Sequence, residues 1–122
     1  MPLPEPEILA NPVQPDAAIA FWQSRAKLTS AQAKALGEGA RSRAFYVTGL
    51  AEADMVNLVH GGIAEALEHG ETLADFKKRI AEVIEREGWK GHRVETVFRT
   101  SMQSAYSAGR YAKQQAVKEL LP

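Results

Sequence analysis

Between Val97 and Tyr111 the chain reads VFRTSMQSAYSAGRY. Placed on a helix, Arg99, Gln103, Tyr106 and Arg110 recur at i, i+4, i+7 and i+11, so they form one stripe. All four side chains donate hydrogen bonds, and the two guanidinium groups are permanently charged. Such forks grip carboxylates or phosphates through paired hydrogen bonds, which makes the stripe a candidate partner-binding surface. The same pattern also suits a polar face that locks onto a neighbouring helix or loop of the same chain.

The segment carries a second stripe of a different kind. Ser101, Ala105 and Gly109 are spaced by four and stack on one side, flanked by Ala108 and Ala112. Small residues in register let another backbone approach closely, so these three are candidates for close helix packing. A glycine in mid-helix costs stability, and close approach is what would justify Gly109.

Other chemistry has little to stand on. Glu65 and His69 share a face at i, i+4 and could hold two positions of a metal, but no third ligand is apparent and the spacing is not that of an HExxH zinc site. His60 and His69 read as exposed histidines near a helix end, and His92 as a helix-start residue. No GxSxG elbow is present, and GWKG (88–91) does not match a phosphate-cradling loop. Acidic and basic residues are interleaved at surface-like spacing. The expectation is a non-enzyme with no catalytic residue, no metal and no cofactor.

The 122 residues include 15 basic and 15 acidic side chains and no cysteine. Zero net charge argues against the whole chain acting as an electrostatic magnet for DNA or anionic membrane. The absence of cysteine excludes disulfides and thiolate metal sites. No apolar run nears the roughly 20 residues of a membrane span, so no membrane partner is expected. The start, MPLPEPEILANP, is acidic and proline-rich, unlike a signal peptide.

The elements that must position these stripes are helical. Residues 1–14 hold four of the six prolines and read as an extended or disordered arm, leaving 15–122 as one domain. Pro15-Asp16 can open a helix carrying Ala18, Phe21 and Trp22 on one face. Thr29 with Gln32 fits a capping box for a second helix, loosened by Gly37 and Gly39 and ending near Phe45-Tyr46-Val47. Met55, Leu58, Val59, Gly62, Ile63, Ala66 and Leu67 stripe a third, with Gly61-Gly62 a soft spot and Gly70 its stop. Thr72 with Asp75 caps a fourth, buried through Leu73, Phe76, Ile80, Val83 and Ile84 and stopped at Gly88. A fifth runs from about His92 to Leu121. The aromatic residues Phe21, Trp22, Phe76, Trp89 and Phe98 read as core anchors, and AFYVTGL (44–50) is the single strand-like piece. The spacing predicts an all-α domain of about five helices, its long C-terminal helix packed against a hairpin of helices three and four.

Four segments in order, AFYVTGL (44–50), HGETLADFKKRI (69–80), GW (88–89) and VFRTSMQSAYSAGRY (97–111), resemble the phage Mu F-like head-morphogenesis family of minor capsid proteins. The most specific matches are Phe98-Arg99-Thr100, Gln103-Ser104-Ala105-Tyr106 and Gly109-Arg110-Tyr111, supported upstream by Gly70, Thr72, Leu73 and Phe76. The resemblance spans roughly residues 15–115. It implies a structural virion or prophage protein that sits in the head near the portal and assists assembly, DNA packaging or delivery. It marks Arg99, Gln103, Tyr106, Gly109, Arg110 and Tyr111 as signature positions, which adds Tyr111 to the candidate partner-binding set. Implied partners are the portal or other capsid proteins, with packaged DNA as an alternative, in an oligomeric virion setting or the host cytoplasm. Family members continue past the glycine-arginine-tyrosine helix into a segment rich in aspartate, arginine and histidine that is not within these 122 residues. Similar modules also precede toxin domains, so delivery of a bacterial toxin is a further alternative.

Overall fold

The computed structural model describes residues 16–120, and the expected arm at 1–14 lies outside them. The architecture is all-α. Among the described residues seven helices follow in order: α1 (Asp16–Ser24), α2 (Ser30–Lys34), α3 (Glu38–Ser42), α4 (Ala53–His69), α5 (Leu73–Arg79), α6 (Ala81–Glu87) and α7 (Gly91–Leu120). The excess over the expected five comes from two breaks.

The first break separates α2 from α3. The Thr29–Gln32 capping box forms, with each side chain accepting from the other residue's backbone N–H. Five residues on, the helix stops, and Gly37 takes an extended backbone that opens α3. Arg41 holds the two pieces together. Its Nε donates to the Ala33 carbonyl at 3.1 Å, which also accepts from Leu36 N–H, and its Nη2 to the Leu36 carbonyl at 2.9 Å just past the end of α2.

The second break falls at Ile80, whose backbone (φ −104°, ψ 21°) leaves the helical range between α5 and α6. Neither glycine nor proline causes it. Ile80 is fully buried, as are Phe76 before it and Val83 after it. Both expected ends are in place: the Thr72–Asp75 capping box starts α5, and Gly88 ends α6 in the left-handed conformation, as Gly70 ends α4.

The strand-like AFYVTGL segment makes one isolated parallel bridge, Lys27 to Phe45, with Phe45 N–H donating to the Ala26 carbonyl and Leu28 N–H to the Phe45 carbonyl. This pins the α1–α2 connection to the chain leaving α3.

One core runs through the molecule. Trp22, Leu50, Val56, Val59, Ile63, Phe76, Ile80, Val83 and Val94 are its most deeply buried large side chains. Burying each contributes on the order of 1.5–3 kcal/mol, before the entropy of ordering it is subtracted. Phe21, Trp89 and Phe98 are half-buried at its edges, with Phe98 5.1 Å from the Phe76 ring. Helix α4 continues unbroken through Gly61-Gly62, and Gly62 lies against the Phe76 ring, where a Cβ would come within 2.8 Å.

The long helix α7 touches α4 and α5, but its most extensive contact is with α1. The hairpin is therefore only part of its seat. Helix α1, with Ala18 and Trp22 buried, supplies the rest.

Candidate interaction surface

The thirty residues of α7 span about 45 Å at 1.5 Å per residue. One side is committed to the fold. Val94, Ser101 and Ala105 are buried, and Gly109 sits directly on α1. A Cβ at Gly109 would stand 2.9 Å from the Ala18 nitrogen, so the two main chains meet with no side chain between them.

The polar stripe lies away from that contact. Arg99, Gln103 and Arg110 are exposed. Tyr106 is half-buried, with its ring packed against the core. Tyr111, on the shoulder of the helix, is 64% exposed. Among the described residues Arg99 pairs with Glu95 one turn back at 2.7 Å, and Arg110 makes one long hydrogen bond to Ser107 at 3.4 Å. Both partners lie on α7 itself, so neither arginine locks onto another element of the described chain. An exposed i, i+4 pair of this kind contributes only about 0.3–0.5 kcal/mol, and an incoming carboxylate can replace Glu95 at small cost. Arg99 and Arg110 stand about 16 Å apart along the helix.

The other sequence candidates fall as follows. Glu65 and His69 do pair at 2.8 Å, with Arg79 3.7 Å from the same carboxylate. Among the described residues no group of three or more histidine, cysteine, aspartate or glutamate side chains converges. Arg79 also grips Glu71 with both Nε and Nη2, which holds the Glu71 carboxyl below its usual pKa and raises that of Arg79. This network staples α5 to the turn that precedes it.

His60 is not an exposed end residue. It lies in the middle of α4 and is buried, with Nε2 2.9 Å from the Trp22 carbonyl. Its position was legible: residue 60 follows Val56 by four and precedes Ile63 by three, on the inward stripe. Arg25 is a second residue outside the candidates that spacing picks out. It follows Trp22 by three and lies half-buried at the end of α1. A basic residue so close after a buried tryptophan was the available signal.

Comparison of the chain with protein-family models, with curated proteins and with solved structures finds no match. No helix among the described residues is long and apolar enough to cross a membrane.

Proposed function

We propose that this chain is a structural attachment module, a minor head protein of a phage or prophage that docks on the portal or another capsid protein during head assembly and DNA packaging or delivery. The family setting rests on the four-segment resemblance. The docking role is carried by one observation: Arg99, Gln103 and Arg110 lie exposed on the side of α7 turned away from α1, while Ser101, Ala105 and Gly109 are packed inward. A helix held along one side presents a preorganised row of donors on the other, and preorganisation lowers the ordering cost of binding.

The chemistry offered is recognition of carboxylates and amide carbonyls, with the Tyr111 ring beside it as apolar contact area. Nothing in this role calls for a catalytic group or a cofactor. The balanced charge of the chain favours a protein partner over DNA as a general ligand.

The test is association of the full chain with purified portal protein. Binding at about micromolar Kd, weakened roughly tenfold or more by Arg99→Ala with Arg110→Ala, is the expected result. No association at that concentration would remove the docking role. A salt-dependent DNA mobility shift that vanishes in the same double variant would favour the nucleic-acid reading instead.

A further inference from the structure

A cleft of about 520 Å³ opens beside the C-terminal end of α1, on a different part of the molecule from the α7 face. Its walls include Phe21, Leu28 and Leu36, and Arg25 and Arg43 line it as well. None of its lining residues is acidic. That size is within the range of natural binding clefts, which combine apolar walls with a few placed polar groups.

Two features mark it as unfinished. The first is Arg25. Its guanidinium lies 5.2 Å from the Phe21 ring centre and 5.4 Å from that of Trp22, and its Nη2 donates to the Ala44 carbonyl at 2.6 Å. Its Nε is buried and has no acceptor among the described residues. Burial lowers the pKa of this group. No carboxylate among the described residues pairs with Arg25 or Arg43. A half-buried cation without a counter-charge is costly, and an incoming carboxylate relieves that cost.

The second feature is charge segregation. From Ser24 to Gly49 the chain carries five basic residues, Arg25, Lys27, Lys34, Arg41 and Arg43, against one acidic residue, Glu38. The remainder holds ten basic and fourteen acidic residues. A chain of zero net charge thus concentrates positive charge in the segment that supplies every lining residue of the cleft except Phe21, with Arg25 and Arg43 on the wall itself. Leu36, one of two large apolar side chains exposed among the described residues, sits in the same place.

We propose that this cleft docks an acidic segment of a partner protein, its carboxylates meeting Arg25 and Arg43 and its apolar side chains resting on Phe21, Leu28 and Leu36. The aliphatic walls favour polypeptide over nucleic acid, since a base could stack on Phe21 but a phosphate backbone would leave Leu28 and Leu36 without a matching surface. The site is separate from the α7 face and does not depend on the function proposed for it.

The experiment titrates the full chain with a fluorescein-labelled synthetic peptide of alternating glutamate and leucine, and with its glutamine–leucine counterpart, while backbone amide NMR shifts locate the binding. Expected are a Kd of about 10–100 µM for the acidic peptide, shifts centred on Phe21, Leu28 and Leu36, and weakening by about tenfold or more for the neutral peptide. Arg43→Gln, at an exposed position, is expected to weaken the acidic peptide comparably with an unchanged melting temperature. Arg25→Gln serves as the second variant, read only if its circular dichroism spectrum matches the parent. Equal binding of the two peptides, no binding below about 1 mM, or shifts confined to the outer face of α7 would overturn the proposal. So would a single-stranded oligonucleotide that binds the cleft as tightly as the peptide. Binding that appears only in a Glu5→Gln, Glu7→Gln chain would overturn the partner assignment in favour of the chain's own acidic start.

Discussion

Trp22 and His60 satisfy each other across thirty-eight positions of the chain: the indole N–H donates to the His60 carbonyl at 3.0 Å, and His60 Nε2 donates to the Trp22 carbonyl at 2.9 Å. A carbonyl only accepts, so the proton of the neutral imidazole sits on Nε2. The rings stack with centres 4.9 Å apart and planes 15° apart, and Phe45 stands edge-on to both. This one pair ties α1 to the middle of α4.

Acid should destabilise the fold around that tie, because it places a positive charge on a buried ring. Burial, the largest influence, lowers the His60 pKa below its ordinary 6.5; the positive charges of Lys27 and Arg25 lower it further, and the hydrogen bond to Trp22 offsets part of the shift. The folded state therefore takes up the proton less readily than the unfolded chain. Stability contributed by neutral His60 is full above about pH 6.5 and declines as pH falls from there toward the folded value. Melting temperature measured from pH 7.5 to 5 should fall for the parent protein. His60→Gln keeps a donor near Nε2 without a titrating group, and should be less stable at pH 7.5 but nearly flat over the same range. Glu71 and Asp75 titrate apart from this: Arg79 and Thr72 hold their carboxyls below 4.5 and 3.8, so their contribution disappears only at lower pH.

Adjacent glycines in α4 should respond with opposite signs. A Cβ at Gly61 meets nothing within 4 Å, so Gly61→Ala gains helix propensity and should stabilise by up to about 1 kcal/mol. A Cβ at Gly62 would come within 2.8 Å of the buried Phe76 ring, so Gly62→Ala should destabilise by about 1–3 kcal/mol despite the same propensity gain. Urea denaturation of the two variants, with unchanged m-values, is the check.

Gly109→Ala pits the same propensity gain against main chain rather than a side chain. The obstacles are the Ala18 nitrogen at 2.9 Å and the Ala17 carbonyl carbon at 3.2 Å, which no rotamer change can move aside. A net loss of about 1–3 kcal/mol is expected, with α1 amides losing hydrogen-exchange protection before those of α5.

The outer face of α7 should be nearly silent in stability. Arg99→Ala removes one exposed ion pair, and Arg110→Ala one long hydrogen bond. Together they should change the unfolding free energy by less than about 1 kcal/mol. A larger loss would mean that the face is structural and not free for a partner.

Much of the helical plan was legible in particular residues. The two capping boxes, the glycine ends at Gly70 and Gly88, and the long run of α7 all follow from local chemistry that needs no partner. Gly37 marked a weakness after α2, while the Arg41 bonds to the Ala33 and Leu36 carbonyls that accompany the break had no local sign. The break at Ile80 had no local sign: the spacing of Phe76, Ile80 and Val83 is as regular as in an unbroken helix, and the burial of all three does not by itself account for the interruption. The Arg99–Arg110 stripe was readable from spacing alone. The burial of His60 was readable in the same way, but its pairing with Trp22 and the Arg25 cleft were not, because each depends on residues far apart in the chain meeting in space.

The direct main-chain contact between Gly109 and Ala18 has a mechanical consequence. With no flexible side chain between them, neither helix can move toward the other there without displacing its own main chain. A load pressing on the outer side of the long helix therefore bears directly on the backbone of the short one, four residues before Trp22.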